Sequence, residues 1–539
     1  MEVDFLKALS HQHFTDKESI VFDIVIVGYG PVGAVSAILL GQYGLNVLVI
    51  EKDQEAYSLP RAIALDNEAM RILQQIGITD QFLKDFVNSR RYEFLDKDRN
   101  LLFGINRQLH DDRDHWGQTF LFRQPEFEKL LRQHVQKFSN IQVQTNETFL
   151  NLIQNENHVE IHTNKSIYKA KYVFGCDGAK SSVRRIIQIP MKELEQFHQP
   201  WLVVDALLKD GAYLAEEMQQ ICDPYRAISY IPRAGTNERR WEFQLRPEES
   251  EQDMQKHEKI YELMSPWISK DKIDIERTAV YTFRALEATS WRKGRVFLLG
   301  DAAHMMPPFL GQGLCSGIKD AMNISWKISR VLNESVDCSI LNSYELERKQ
   351  HVRSITNLAI LLGKIIMLQK HVILRNSSLA FLNKLPFIKT KIRNLSINLP
   401  KMNDKISPKS LGNKFSGERI LRSEVFYRNQ KVWLDDIIEN RFAIIAFNYS
   451  PTQLVNNSIV EKWKRFGSIF IQITPTSIKV EDSNDVVTVE DIEGKLESFF
   501  KSKRATCLII RPDKYILGEV YNRGNFIHKI TNSLEMGHL

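Results

Sequence analysis

The chain has only five cysteines in 539 residues, Cys176, Cys222, Cys315, Cys338 and Cys507, and no two of them form a CxxC pair. An odd, scattered set of this kind excludes a disulfide framework and a thiolate zinc site, so reduced thiols and no metal centre are expected. Long apolar runs are also missing. The longest candidate, at 354–374, is broken by Lys364 and Lys370, short of the roughly 18–20 residues that span a bilayer. The first residues carry Glu2 and Asp4 where a secretory signal would carry positive charge, and no apolar core follows them. Acidic residues are nearly absent from 364–414, where Asp404 stands alone. Such a stretch reads as a solvated helix and linker rather than a nucleic-acid surface. These absences lead to the expectation of a cytoplasmic protein with no integral membrane segment and no nucleic-acid partner.

What is present is ordinary for a globular chain: 43% hydrophobic and 26% charged residues with a net charge of +6. At roughly 100 to 200 residues per compact unit, the length predicts several domains. The apolar strand DIVIV at 23–27 runs into Gly28-Tyr29-Gly30-Pro31-Val32-Gly33 and then into the helical pattern AVSAILLGQYG. A second apolar strand at 46–50 ends on Glu51. Strand, GxGxxG turn, helix and a later acid form a dinucleotide-binding unit: Gly28 permits the turn, Gly30 lets a pyrophosphate approach the backbone, Gly33 lets helix and sheet pack closely, and Glu51 accepts a ribose hydroxyl.

Two more glycine motifs follow apolar strands. One is YVFGCDG, ending on Asp177 and Gly178; the other is RVFLLGDAAHMMPPFLGQGLCSG, which carries Gly300 and Asp301. In open α/β sheets ligands bind at the carboxyl ends of strands. Asp301 there can accept from a ribityl or ribose hydroxyl, and Pro307 and Pro308 hold an extended course against an aromatic ring system. Gly311 and Gly313, with Leu314 and Cys315 after them, open a helix running to about Val331 whose amino terminus offers N–H groups to a carbonyl or anion.

Three motifs in this order resemble the class A flavoprotein monooxygenases, the aromatic hydroxylases related to p-hydroxybenzoate hydroxylase and phenol hydroxylase. Further segments, PRAIALDNEAMRILQQIGI, WLVVD, CDPYR, RRWEFQLRPEE, DAMNISWKI and SYELERKQH, are similar to the bifunctional 3-(3-hydroxyphenyl)propionate/3-hydroxycinnamate hydroxylases over nearly the whole chain. The resemblance implies an α/β architecture: a Rossmann-like FAD-binding region at 20–365, a sheet-rich substrate domain inserted at about 190–290, a basic helical linker at 366–400 and a thioredoxin-like domain at 401–539 without CxxC. It also implies FAD held by the three motifs together with Arg61 and Gln124, and NADH or NADPH as the electron donor. With O2, these would place a hydroxyl on an electron-rich phenol ring.

Asp66 falls where a catalytic aspartate is expected from the resemblance, and it is equally well placed to cap the helix NEAMRILQQIG. Arg226 and Tyr230, on expected substrate-domain strands, suit a carboxylate and a phenol, although core roles suit them as well. His304 reads as a packing residue of the flavin loop. Cys315 stands where the family has asparagine, which questions a side-chain contact with the flavin. Homodimeric assembly is left open. A hydroxylase of another phenol or of a polyketide aromatic would share these motifs, and a flavin-binding regulator without turnover is the alternative of another class.

Overall fold

The computed structural model describes residues 21–56, 62–83, 87–107, 116–233, 236–334, 336–388, 417–475, 485–519 and 531. Arg61 lies outside them.

The expected nucleotide fold is built around the Val21–Val27 strand, which pairs in parallel with Val47–Ile50 on one side and Ile167–Gly175 on the other. The Val296–Leu298 strand extends the sheet beyond Ile167–Gly175, again in parallel. All three glycine motifs therefore leave neighbouring parallel strands at the same edge. Parallel strands buried on both faces require continuous apolar sequence, and Ile24, Val25, Ile26, Val47, Leu48 and Val49 are fully buried. The Pro31–Gln42 helix starts directly after the first glycine turn, with proline at its first position, where the missing N–H costs nothing. It packs against the Gly313–Asn333 helix, which matches the helix expected after the third motif.

A second sheet has seven strands in the order Ile273–Phe283, Gln199–Leu208, Glu238–Gln244, Ile228–Pro232, Met218–Ile221, Arg91–Leu95 and Leu101–Asn106. Its first five strands come from the expected insertion. The last two come from the earlier segment at 91–106, and Arg91–Leu95 joins in parallel to Met218–Ile221. Two short helices, Glu251–Met254 and His257–Met264, follow the Glu238–Gln244 strand.

A third sheet, also seven-stranded, occupies the carboxyl-terminal part and includes Ala443–Phe447, Ile469–Pro475 and Val487–Asp491 in parallel, with Cys507–Ile510 antiparallel to the first of these. It docks on the flavin region through buried charge. The Arg71 guanidinium donates to both oxygens of Asp435 at 2.6 and 2.7 Å. Arg511 grips Glu347 at 3.1 and 3.0 Å, and the indole N–H of Trp326 donates to Asp513 at 3.1 Å. No described helix is long and apolar enough to cross a membrane.

Candidate active site

The glycines of the first turn divide by what their neighbours demand. A Cβ on Gly28 would stand 2.5 Å from the Cys176 carbonyl oxygen, and one on Gly33 would stand 2.0 Å from that of Gly28. Both are dictated by packing, and Gly28 also has φ +105°, which L side chains avoid. Gly30 has no heavy atom within 4 Å of a Cβ, so the fold itself does not require glycine there. The Tyr29 N–H donates to Glu51 at 2.7 Å and the Asp53 N–H to its other oxygen at 3.0 Å, which fixes the acid beside the turn. Arg132, which the sequence reading did not single out, donates to the Tyr29 carbonyl at 3.3 Å and stacks 4.5 Å from that ring.

The second and third motifs are held together by arginine. Arg184 donates to the carbonyls of Ala302 at 2.9 Å and Ala179 at 3.0 Å, and so ties the DG turn to the GD turn. Asp177 accepts the N–H groups of Ser182 at 2.6 Å and Val183 at 3.0 Å through one oxygen. Burial pushes its carboxyl above the ordinary range despite those bonds. Gly178, at φ +76°, again leaves open space where a Cβ would sit.

At the third motif Asp320 is the anchor. It accepts from the Gly300 N–H at 3.1 Å, pairs with His304 Nε2 at 2.7 Å and with Arg348 at 2.8 Å. Burial works against this carboxylate, but His304 and Arg348 prevail and hold it below its usual range. His304 also stacks on Trp291 at 4.9 Å, which makes it a packing residue of the loop. Asp320 and Arg348 lie in DAMNISWKI and SYELERKQH, so those two stretches of resemblance meet at the GD turn.

Asp301 is exposed at the strand's end, Pro307 is buried and Pro308 opens a short turn closed by Gly311 at φ +64°. Gly313 begins the long helix with open space at its Cβ position, and Leu314 is partly buried. The site fits an FAD on its own terms. Gly30, Gly178 and Gly313 are open at this rim, and Asp177 Oδ1 and Gln312 Oε1 are buried oxygens with no hydrogen-bond partner among the described residues. Helix amino termini face the same region.

Asp66 is a helix cap. One oxygen accepts the Ala69 N–H at 2.8 Å and the other takes the Lys319 ammonium at 2.6 Å. Both oxygens are thus occupied and the residue is buried, which is the arrangement of the helix cap. Lys319 also meets Glu68 at 3.1 Å. The Cys315 thiol lies against the Asp66 N–H at 3.4 Å and the Ala64 carbonyl at 3.8 Å, so this side chain packs on the strand before Asp66. Burial pushes the thiol far above its ordinary range. Gln124 takes the Ala62 N–H at 2.7 Å and donates to Glu128 at 2.6 Å, bracing the chain next to Arg61.

Strand alternation separates the two faces of the second sheet. Trp201 packs on Phe309 of the flavin loop, with ring centres 5.7 Å apart. Residues alternating with Trp201 and its cross-strand neighbours, namely Val203, Asp205, Arg240, Glu242, Ser229, Gln220, Tyr92 and Phe94, share that face by register. Tyr230 is on the other face. It is packed in the core with Trp241 and Phe243, and its hydroxyl donates to the Ala215 carbonyl at 2.8 Å. Arg226 is committed to Glu249 and the Gln244 carbonyl at 2.5–2.8 Å. Tyr230 thus faces away from the flavin loop and Arg226 is already paired, the arrangement of the core roles.

Comparison with known proteins agrees with this geometry. Residues 21–359 match the family described as FAD binding domain, and 417–529 match the HcaD C-terminal domain. A 3-(3-hydroxy-phenyl)propionate/3-hydroxycinnamic acid hydroxylase of Mycolicibacterium smegmatis is 30% identical over 92% of this chain and 90% of its own. Its namesake from Escherichia coli K12 is 29% identical over 94% of each chain. Among solved structures, the flavin-dependent monooxygenase PieE with FAD and substrate superposes with a TM-score of 0.77 at 16% identity, covering 96% of this chain and 98% of that one. Aklavinone-11 hydroxylase with FAD and aklavinone gives 0.76 at 16% identity, covering 97% and 99%. The third domain is the HcaD C-terminal domain, and the thioredoxin-like description of it is an expectation that these matches leave aside. From the three glycine motifs at one sheet edge to the match at 21–359, the observations converge: the chain belongs to the FAD-dependent aromatic hydroxylases.

Proposed function

We propose that this enzyme hydroxylates 3-(3-hydroxyphenyl)propanoate and 3-hydroxycinnamate next to the existing hydroxyl, consuming NADH or NADPH and O2 and yielding the 2,3-dihydroxy acids. The supporting observation is the extent of the likeness to the hydroxylases of that name, which reaches 92–94% of the chain. The solved monooxygenase PieE and aklavinone-11 hydroxylase are only 16% identical.

In this reading FAD supplies the redox chemistry and the chain supplies position, dryness and charge. The open backbone at Gly30 and the Glu51 carboxylate serve the dinucleotide end. The Asp177–Gly178 turn serves the dinucleotide and the nicotinamide donor. Asp301 serves the ribityl chain. The Gly311–Gly313 turn and the start of the Gly313–Asn333 helix present N–H groups to the ring's polar edge, and Cys315 and Leu314 contribute backbone there. The sheet face that carries Trp201 closes the site from the other side and excludes water.

The test is NADH oxidation by the purified holoenzyme across a panel of phenols, with products identified. Stimulation by 3-(3-hydroxyphenyl)propanoate with formation of the 2,3-dihydroxy acid is expected. Stimulation and hydroxylation confined to another phenol would move the substrate and leave the reaction class in place.

A further inference from the structure

On the sheet face that meets the flavin loop, the buried Glu242 and the half-buried Arg107 make no ion pair among the described residues. Glu242 stands between Val203 and Ser229 in the register and is 9% exposed. No side chain or backbone group donates to its carboxyl among the described residues. Its neighbours are otherwise engaged: Arg240 makes a two-point contact with Asp205 at 2.6 and 3.0 Å, and Ser229 donates to Gln220 at 2.8 Å. Arg277 also leans on Asp205, at 3.3 Å. A buried carboxyl without a partner is costly and rare enough to require a reason.

Arg107 is the complementary case. It lies over the Tyr92 ring at 5.3 Å, and one of its nitrogens donates to Ser89 at 2.9 Å and approaches the Met218 sulfur at 3.3 Å. It has no carboxylate partner among the described residues. Burial pulls the guanidinium down to about 10, with Tyr92 acting in the opposite direction, so it remains a cation at neutral pH. Tyr92 lies beneath the Arg107 guanidinium, on the strand next to that of Met218 and away from Glu242. Burial pushes its phenol above the ordinary range, opposed by Arg107 and reinforced by Cys222 and Glu242. The strand of Glu242 is two places from that of Met218, which the Arg107 guanidinium reaches, and three from that of Tyr92, about 10 and 14 Å at ordinary strand spacing.

We propose that Arg107 and Glu242 receive the two polar ends of an aromatic acid lying across this sheet face: the Arg107 guanidinium takes the carboxylate, and the Glu242 carboxyl takes the ring hydroxyl. This rests on the substrate class proposed above. A planar guanidinium suits a carboxylate, and an acceptor at the ring hydroxyl draws density into the ring where oxygen is to be added. A site built to pair both ends rejects analogues that lack either one, because its own buried groups then stay unpaired.

The experiment measures ligand dissociation constants from the flavin absorbance change of the holoenzyme. The ligands are 3-(3-hydroxyphenyl)propanoate, its primary amide, and 3-phenylpropanoate. The wild type should favour the hydroxy acid over each analogue by about tenfold or more. Arg107→Met should abolish the preference for acid over amide and keep the preference for the hydroxyl; Arg107→Lys should restore part of the former. Glu242→Leu should do the converse, with Glu242→Gln intermediate. FAD content and melting temperature report folding, and the two conservative variants carry the test if the apolar ones lose the cofactor.

Equal loss for all three ligands, or unchanged ratios, would overturn the assignment. A wild type that hydroxylates 3-(3-hydroxyphenyl)propanoate but binds acid and amide alike would overturn it while the proposed function stood. A wild type that binds none of the three would overturn both.

Discussion

Lys319 sits 2.6 Å from Asp66 and 3.1 Å from Glu68, with all three side chains largely or fully buried. One ammonium on the helix behind the flavin loop thus ties down both acids at the start of the Asn67–Gln75 helix. Asp66→Asn should preserve the cap, since asparagine caps as well as aspartate, but it leaves Lys319 with Glu68 alone. A loss of about 1–3 kcal/mol is expected, seen as a lower melting temperature. Peroxide released per NADH consumed should stay at the wild-type level. A large rise in peroxide with unchanged stability would instead make Asp66 a participant in oxygen transfer.

Gly30 and Gly33 separate fold from cofactor. Gly33→Ala places a Cβ against the Gly28 carbonyl oxygen and should prevent folding of the nucleotide unit. The Cβ of Gly30→Val meets no heavy atom within 4 Å among the described residues, so the chain should fold while its FAD affinity falls by about a hundredfold or more. Fluorescence titration of apoprotein with FAD reads the difference, and a Gly30→Val protein that holds FAD as tightly as the parent would displace the phosphates from this turn.

Thiol reactivity should follow burial, because the thiolate is the reactive form. Cys338 is exposed, whereas burial pushes Cys315 well above its ordinary range and Cys222 up to about 12. In the native holoenzyme an alkylating reagent should modify Cys338 first and leave Cys315 untouched until the protein unfolds. Peptide mapping by mass spectrometry decides, and early labelling of Cys315 would contradict its place behind the loop.

The docking of the carboxyl-terminal unit depends on paired charges. Asp435→Ala strands the Arg71 guanidinium in the interface and should cost about 3–5 kcal/mol. The double change Arg71→Met with Asp435→Leu should recover most of the loss. Removing residues from about 400 onward should likewise cost stability more than flavin chemistry, because all three cofactor motifs precede that point. A soluble truncated protein that binds FAD normally but is no longer reduced by NADH would contradict this.

Glu242 gives stability a pH dependence with a definite sign. Burial, reinforced by Asp205 and opposed by Arg240, raises its carboxyl from 4.5 to about 7. Ionisation therefore costs the folded state. The penalty is absent below about pH 4.5, grows as pH rises and is complete above about 7, where it amounts to about 3 kcal/mol. Glu242→Gln should melt higher than wild type at pH 8 and draw level with it at pH 5. A difference that is constant with pH would show that Glu242 is not held in this way.

The nucleotide fold was legible because its demands are local: each of the three motifs needs glycine at a turn within a few residues of its own strand. The cap at Asp66 was legible for the same reason. Its partner Lys319 was not, since 253 positions separate them. The pairing of Arg226 with Glu249 was not legible, because composition cannot distinguish Glu249 from any surface acid. The face of Tyr230 was not legible, because alternation tells which residues share a face and leaves open which face meets the flavin loop. The strands at 91–106 were missed as members of the substrate sheet because their pairing with Met218–Ile221 spans more than a hundred residues. The segments quoted for resemblance carried Asp320 and Arg348, yet only folding brought them to the GD turn.

The most direct test of the account is a reaction of the holoenzyme with 3-(3-hydroxyphenyl)propanoate and NADH under isotopically labelled O2, with the product examined by mass spectrometry. The account predicts a 2,3-dihydroxy acid carrying one labelled oxygen, formed nearly one for one with NADH consumed. NADH oxidation that yields only peroxide from every phenol offered, with no labelled product, would contradict it.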